Sequence, residues 1–312
     1  MYYSIQHTTR FHYSAPISES IMSVRMQPRS EGIQYCRRFD LTINPRSQVF
    51  HYRDHLGNTI HHFDVPRFHS QLIITAKALV EMSPAPHVPE GLDSSAWGEL
   101  DGLVSGGDYF FQLQPSRFAS PSDLLRELAH ELRFAERRDD PLSMLREMTA
   151  TIHKHFDYAP QSTKVDSPVD DALRARKGVC QDFAHIMITL ARELGIPCCY
   201  VSGYLVDRVE DNNRSAEDAT HAWVEALLPG LGWVGFDPTN NLVAGGRHIR
   251  VAVGRDYDDV PPTRGVFKGA AESGLTVAVQ VSPCEAPPPD DLPAPIIEPL
   301  PPDLQQQQQQ QQ

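Results

Sequence analysis

A cysteine, a histidine and an aspartate stand in that order at positions 180, 221 and 237. Together they have the composition of a nucleophile, a general base and an orienting acid. A cysteine attacks only as its thiolate. An ordinary thiol has a pKa of about 8.5, so an active one needs help from the positive end of a helix or from a nearby imidazolium. Cys180 lies in "ARKGVCQDFAHIMITLARELGIP", at the start of an amphipathic pattern, with Gly178 ahead of it. That meets the first condition. His221 opens "THAWVEALLPGLGWVGFDPTN" and Asp237 stands near its end, before Pro238. Taken singly, each residue has an ordinary explanation: a small buried hydrophobe, a strand-end histidine, a turn former before proline.

The second condition depends on a hairpin. Two strand-like runs flank "PGLG", and folding them back brings His221 and Asp237 to the same end. If residues 229–232 formed a four-residue loop, Leu228 would face Trp233, and Asp237 would point to the opposite side of the sheet from His221. A loop of three or five residues, or a bulge, puts both on one face. A Cys180–His221–Asp237 site therefore requires an odd loop or a bulge. His185 sits five residues along the same helix as Cys180, about 140° away around the axis, and is expected to pack rather than react. Four further histidines, His51, His55, His61 and His62, crowd one strand-rich segment. Their spacing matches no familiar ligand pattern and no cysteine lies among them, so they are read as strand and turn residues and no metal is expected.

The elements that must position these side chains change character along the chain. Residues 1–85 read as short strands rich in Ile, Val, Phe, Tyr and Thr, separated by Pro, Gly, Asn and Ser; this predicts an antiparallel sandwich or small barrel. Residues 86–115 carry Pro, Gly and Ser at intervals and read as a linker. From 116 to 282 the period switches. "SPSDLLRELAHELRFAERR", "DPLSMLREMTATIHKHF" and "SPVDDALRARKG" read as helices, the first capped around Ser120–Ser122 and the last stopped by Gly178; the helix of Cys180 follows, ended by Gly195 and Pro197. Strands "CCYVSGYLVD", "THAWVEALL" and "GWVGFD" come next. Residues 283–312 are Pro-rich and acidic and end in eight Gln, a composition that buries too little apolar surface to order itself. The fold class is α+β: a β-sandwich-like N-terminal domain followed by helices on an antiparallel sheet.

Bulk properties narrow the function. The chain has 312 residues and a net charge of −12, from 40 acidic and 28 basic side chains, which gives it no general electrostatic reason to bind nucleic acid or an anionic membrane. The N-terminal residues show no basic segment followed by an apolar core, so no signal peptide is expected, and no apolar run reaches the roughly 18 residues of a membrane span. Five sparse cysteines, Cys36, Cys180, Cys198, Cys199 and Cys284, do not make a disulfide framework. A reducing cytoplasm is the expected location.

"GVCQDFAHIMITLARELGIP", "YVSGYL", "THAWVEALLPGLGWVGFDPTN" and "GRDYDDVPPTRGVFKG" resemble the bacterial transglutaminase-like family, within the wider papain-like transglutaminase fold. The resemblance runs from about Pro115 to Val281, and "YSAPISESIMSVRMQP" is similar to the β domain that precedes that core. It implies that the family's catalytic cysteine, histidine and aspartate fall on Cys180, His221 and Asp237. It also implies acyl transfer through a Cys thioester, on amide groups of a peptide or protein substrate. Water as acceptor gives a protease or amidase, and an amine gives a transglutaminase. A catalytically silent scaffold or protein-binding module is the alternative. No cofactor is expected, and no calcium loop is evident. One departure is "IPCCYVSGY", where the family usually has Ala-Arg before the Tyr; contacts of this strand are where a difference is expected. "GRDYDDVPP" reads either as a turn-rich loop of Asp, Gly and Pro or as a stretch that sets Asp256 and Tyr257 at the cleft border, and Tyr158, upstream of Cys180, has the same two readings. The Cys180 backbone N–H is a candidate oxyanion donor.

Overall fold

The computed structural model describes residues 1–160, 162–206 and 220–286. The Pro- and Gln-rich stretch from 287 onward lies outside these. The chain opens with six strands: β1 (Tyr2–Ile17), β2 (Glu19–Val24), β3 (Gln34–Asn44), β4 (Val49–Arg53), β5 (Thr59–Val65) and β6 (His69–Met82). Helices α1 (Ala96–Ser105), α2 (Phe110–Leu113), α3 (Asp123–Glu131) and α4 (Pro141–His155) follow. Next come β7 (Asp157–Tyr158), α5 (Val169–Ala175), β8 (Lys177–Gly178) and α6 (Cys180–Glu193). The chain then runs through β9 (Cys198–Leu205), β10 (His221–Leu228), β11 (Gly232–Asp237), β12 (Leu242–Val243), β13 (His248–Gly254), β14 (Thr263–Lys268) and β15 (Ser273–Cys284).

The helices start where their sequence stops the backbone from wasting N–H groups. Ser122 Oγ accepts the Leu125 N–H at 3.2 Å ahead of α3, and Asp140 accepts those of Leu142 and Ser143 ahead of α4, whose Pro141 needs no partner. Helix α5 ends at Arg176, which adopts φ 50°. Gly178, expected to stop that helix, instead pairs with Tyr158 in the short parallel ladder β7–β8.

Two four-stranded sheets, β15-β1-β6-β3 and β14-β2-β5-β4, make the β sandwich. Tyr13, Ile43, Leu72 and Ile74 from the first face Met22, Val24, Phe63 and Val65 from the second across a buried core. The last described strands close this sandwich. β15 pairs along most of β1, from Tyr2↔Cys284 to Tyr13↔Ser273, and β14 pairs with β2. Residues 263–282, which the sequence places with the helical region, thus belong to the opening domain. They carry the same Val-, Leu- and Thr-rich pattern as any strand, and nothing local in that pattern names a partner nearly 280 residues away. The stretch 86–115, read as a linker, is partly helical. Leu100 of α1 is fully buried in the helical core, with Val88, Leu92 and Trp97 packed against it.

The third sheet, β12-β11-β10-β9-β13, carries the helices. Ala222, Val224, Ala226 and Phe236 face Phe183, Ile186, Met187 and Leu190 of α6, and all are buried. The β13 edge would offer unpaired backbone groups. Side-chain amides of the sandwich cover it: Gln34 bonds both main-chain groups of Arg250, and Asn58 both of Val253, each at 2.8 Å. An apolar cluster of Tyr3, Ile5, Val80, Tyr204, Ile249 and Val251 joins the same two bodies.

Candidate active site

The site begins with how α6 starts. Val179 is extended at φ −117° and ψ 178°, and Cys180 is the first helical residue. Val179 offers no polar side chain, so the cap comes from within the helix. The buried Asp182 carboxylate accepts the Val179 N–H at 2.8 Å and the Thr163 hydroxyl at 2.7 Å. Burial nonetheless pushes its pKa up. A Cβ on Gly178 would stand 2.8 Å from Asp182 Oδ2, so glycine is what lets that carboxylate close over the turn. The outcome is a half-buried cysteine at the positive end of a 14-residue helix.

The hairpin decides the rest. Leu228 pairs with Gly232 and Leu227 with Trp233, leaving the three-residue loop 229–231. Gly230 and Gly232 take φ of 70° and 73°, a region most side chains avoid. With this odd loop, Asp237 lies on the face of Trp223 and of His221, and His221 Nε2 reaches Asp237 Oδ2 at 2.8 Å. Both side chains are buried.

Asp237 is saturated with donors. Its Oδ1 accepts the backbone N–H groups of Thr239 (3.0 Å) and Asn240 (3.2 Å), so "DPTN" is a turn that holds its own carboxylate. Its Oδ2 accepts Nε2 of His221, Nδ2 of Asn240 (2.9 Å) and Nε2 of His248 (3.1 Å). Burial alone would raise the Asp237 pKa, but His221 and His248 overcome this and hold it far below the usual carboxylate range. The converse holds at His221. Burial disfavours its charge, yet the Asp237 carboxylate, its hydrogen bond and the Cys180 sulfur lift the imidazole from 6.5 to about 10. His221 Nδ1 is buried without a hydrogen-bond partner. With Nε2 committed to Asp237, Nδ1 is the nitrogen left to take a proton from Cys180. The Cys180 thiol is close enough to help raise the imidazole's pKa.

The structure thus brings His221 and Asp237 into direct contact and sets Cys180 at the helix end beside them. His185 packs, as expected. It stacks on Phe118 at 5.6 Å and accepts the Tyr257 N–H at 3.2 Å, and burial lowers its pKa to about 3. Asp256 is buried and accepts the N–H groups of Phe118 (2.7 Å) and Asp258 (2.9 Å), which makes it a loop-holding residue. Tyr257 lies edge-on to Tyr200 at 6.4 Å, and Tyr158 edge-on to Phe183 at the same distance. The strand that departs from Ala-Arg is tied down from α6. The Arg192 guanidinium donates to the carbonyls of Gln112, Gln114, Cys198 and Arg255. Burial pushes the Cys198 thiol up to about 12 and raises those of Cys36, Cys199 and Cys284 as well.

The histidines of residues 51–62 are spread through the sandwich: His51 and His61 are cross-strand partners with rings 5.8 Å apart, His55 meets Phe111, and His62 meets Ser23. The grouping with metal-ligand proximity is elsewhere. Ligand atoms of His221, Asp237 and His248 lie within 4.8 Å of one another. His248 was not singled out from the sequence. It stands in "GRHIRVAVG", and only the pairing of β13 beside β9 carries it to Asp237.

A cysteine at the head of a helix packed on an antiparallel sheet, with a buried His–Asp pair on that sheet, defines a papain-like core. Residues 127–238 match the model of the transglutaminase-like superfamily, and residues 3–81 match that of the bacterial transglutaminase-like N-terminal region. The chain belongs to this superfamily, in its bacterial form with the N-terminal β region. It is 34% identical, over 91% of its own length and 93% of the relative's, to an uncharacterized protein of Mycobacterium tuberculosis. It is also 32% identical over 121 residues to a protein-glutamine gamma-glutamyltransferase of Pseudomonas aeruginosa, covering 36% of this chain and 18% of that one. A solved structure from Cytophaga hutchinsonii, carrying the provisional description of a cysteine protease, superposes with a TM-score of 0.69. It shares 24% identity and covers 92% of this chain and 93% of its own. Among the described residues no helix is long and apolar enough to cross a membrane.

Proposed function

We propose that this chain is a thiol-dependent enzyme acting on amide groups of peptides or proteins, with Cys180 as nucleophile, His221 as acid–base and Asp237 as its orienting partner. The observation that carries this is the buried His221–Asp237 bond at 2.8 Å, which leaves Nδ1 unpartnered on a site headed by Cys180. The transglutaminase-like family membership supports it. Cys180 loses its proton to His221 Nδ1, and the thiolate attacks the amide carbonyl carbon. The Cys180 backbone N–H, the first of α6, faces the developing oxyanion. The C–N bond breaks as the imidazolium gives its proton to the departing amine, leaving a thioester. Water or a second amine then attacks the thioester and the thiol is regenerated. Hydrolysis gives a protease or amidase, and amine transfer a transglutaminase. The chemistry needs no cofactor, and a reducing cytoplasm, where all five cysteines stay free, fits it.

Mass spectrometry of glutamine-containing peptides, with and without an added primary amine, tests the proposal. Deamidation, backbone cleavage and an amine adduct differ in mass. The absence of any product that depends on Cys180 across a broad peptide library would favour the silent scaffold.

A further inference from the structure

His248 is the buried titratable group at this site that the chemistry above leaves unused. Its imidazole is held from three sides. Nε2 meets Asp237 Oδ2 at 3.1 Å, Nδ1 faces the Gly245 N–H at 3.4 Å, and the ring stands edge-on to Trp223 at 5.1 Å. Trp223 in turn stacks on His221, with ring centroids 6.1 Å apart. His221, Trp223, His248 and Asp237 therefore form a closed ring of contacts around one carboxylate.

We propose that His248 is a positioning residue for the Cys180–His221 pair: as a neutral imidazole with its proton on Nε2, it occupies one side of Asp237 Oδ2 and so fixes the lone pair that His221 uses. The tautomer follows from the neighbours. The Gly245 N–H is a donor, so Nδ1 must accept and the ring's single proton sits on Nε2, facing the carboxylate. The two imidazoles on one oxygen then have opposite roles. His221 gains charge during the reaction, and His248 contributes a hydrogen bond without a second positive charge to compete for Asp237. Asn240 Nδ2, at 2.9 Å from the same oxygen, is the third donor. Losing one donor leaves a buried carboxylate lone pair open and lets Asp237 rotate away from His221. For a hydrogen bond to a charged group, that loss corresponds to about a ten- to hundredfold change.

This inference rests on the proposed roles of Cys180, His221 and Asp237. The test is the rate of iodoacetamide alkylation at Cys180 at pH 7, read by peptide mass spectrometry alongside the melting temperature. Three variants are compared: His248→Gln, whose amide nitrogen reaches the Nε2 position; His248→Asn, whose nitrogen reaches only the Nδ1 position; and His248→Leu. His248→Asn and His248→Leu should slow alkylation by at least about tenfold, with His248→Gln restoring most of the rate at a melting temperature close to that of His248→Asn. If His248→Gln and His248→Asn react equally fast, or rates follow melting temperature alone, His248 is merely structural and the inference falls. His221→Ala separates the two levels. If it slows alkylation while the His248 variants do not, only this inference fails. If it leaves the rate unchanged, the proposed function fails and takes this inference with it.

Discussion

Replacing Asp237 by asparagine is the most direct challenge to the site, because the side chain keeps its shape and loses its charge. In the native protein the imidazole of His221 is lifted from 6.5 to about 10 despite complete burial. At 1.36 kcal/mol per pH unit, this amounts to about 5 kcal/mol favouring the imidazolium. Asp237 is depressed by the same contact, and one interaction seen from its two ends counts once. In Asp237→Asn the new amide would keep Oδ1 on the Thr239 and Asn240 N–H groups and turn its NH₂ toward His221 Nε2. That nitrogen would then have to accept, and the proton would move to Nδ1, the atom that must be empty to take the Cys180 proton. Charge and tautomer both fail. Alkylation of Cys180 at pH 7 should fall by about a thousandfold, below the ceiling set by the 5 kcal/mol. The sign with pH follows from a raised pKa. The pair's stabilisation is complete between the unfolded values of Asp237, 3.8, and His221, 6.5, and is lost as pH rises toward about 10. Asp237→Asn should therefore destabilise the fold most at pH 6 and least near pH 10, measured by urea unfolding at both values. A variant that alkylates within about threefold of the native rate at pH 7, or whose destabilisation is the same at both pH values, would refute the reasoning.

Other consequences are equally concrete. A Cβ on Gly203 would run into the Ile249 carbonyl oxygen and lie 2.6 Å from the Trp223 ring. Gly203→Ala should therefore lower the melting temperature by several degrees, at a cost of about 1–3 kcal/mol. Removing residues 263–286 uncovers one edge of β1 from Tyr2 to Tyr13 and the edge of β2 that β14 covers, so that shortened chain should aggregate on expression, as judged by its elution in size-exclusion chromatography. His7 and His185 are held neutral by burial, with pKa values of about 4 and about 3, against 6.5 unfolded. For histidines depressed in the folded state, stability is complete above 6.5 and is lost as pH falls. Each should cost about 2 kcal/mol at pH 5, and urea midpoints at pH 7 and pH 5 should differ accordingly.

Much of the site was legible because its signals are local. Gly178 and Cys180 at a helix start, His221 opening a strand and Asp237 at a turn before Pro238 each follow from a few neighbouring residues. The strands of residues 1–85 and the four main helices follow from hydrophobic period and from capping side chains such as Ser122. The sequence also defined the condition the hairpin had to meet, an odd loop or a bulge, though it left open which one would occur. Two glycines with positive φ resolved that as a three-residue loop. The expectations that changed concern long-range pairing. Strands β14 and β15 belong to the opening sandwich, and Leu100 of an expected linker lies in the helical core. His248 reaches Asp237 only because β13 lies against β9. Hydrophobic period and turn chemistry report on a residue's immediate neighbours, so the amino-acid sequence by itself determined the elements and the candidate site side chains. Partners of strands, and of buried carboxylates, are chosen by which surfaces fit together after collapse, and that only the tertiary structure decided.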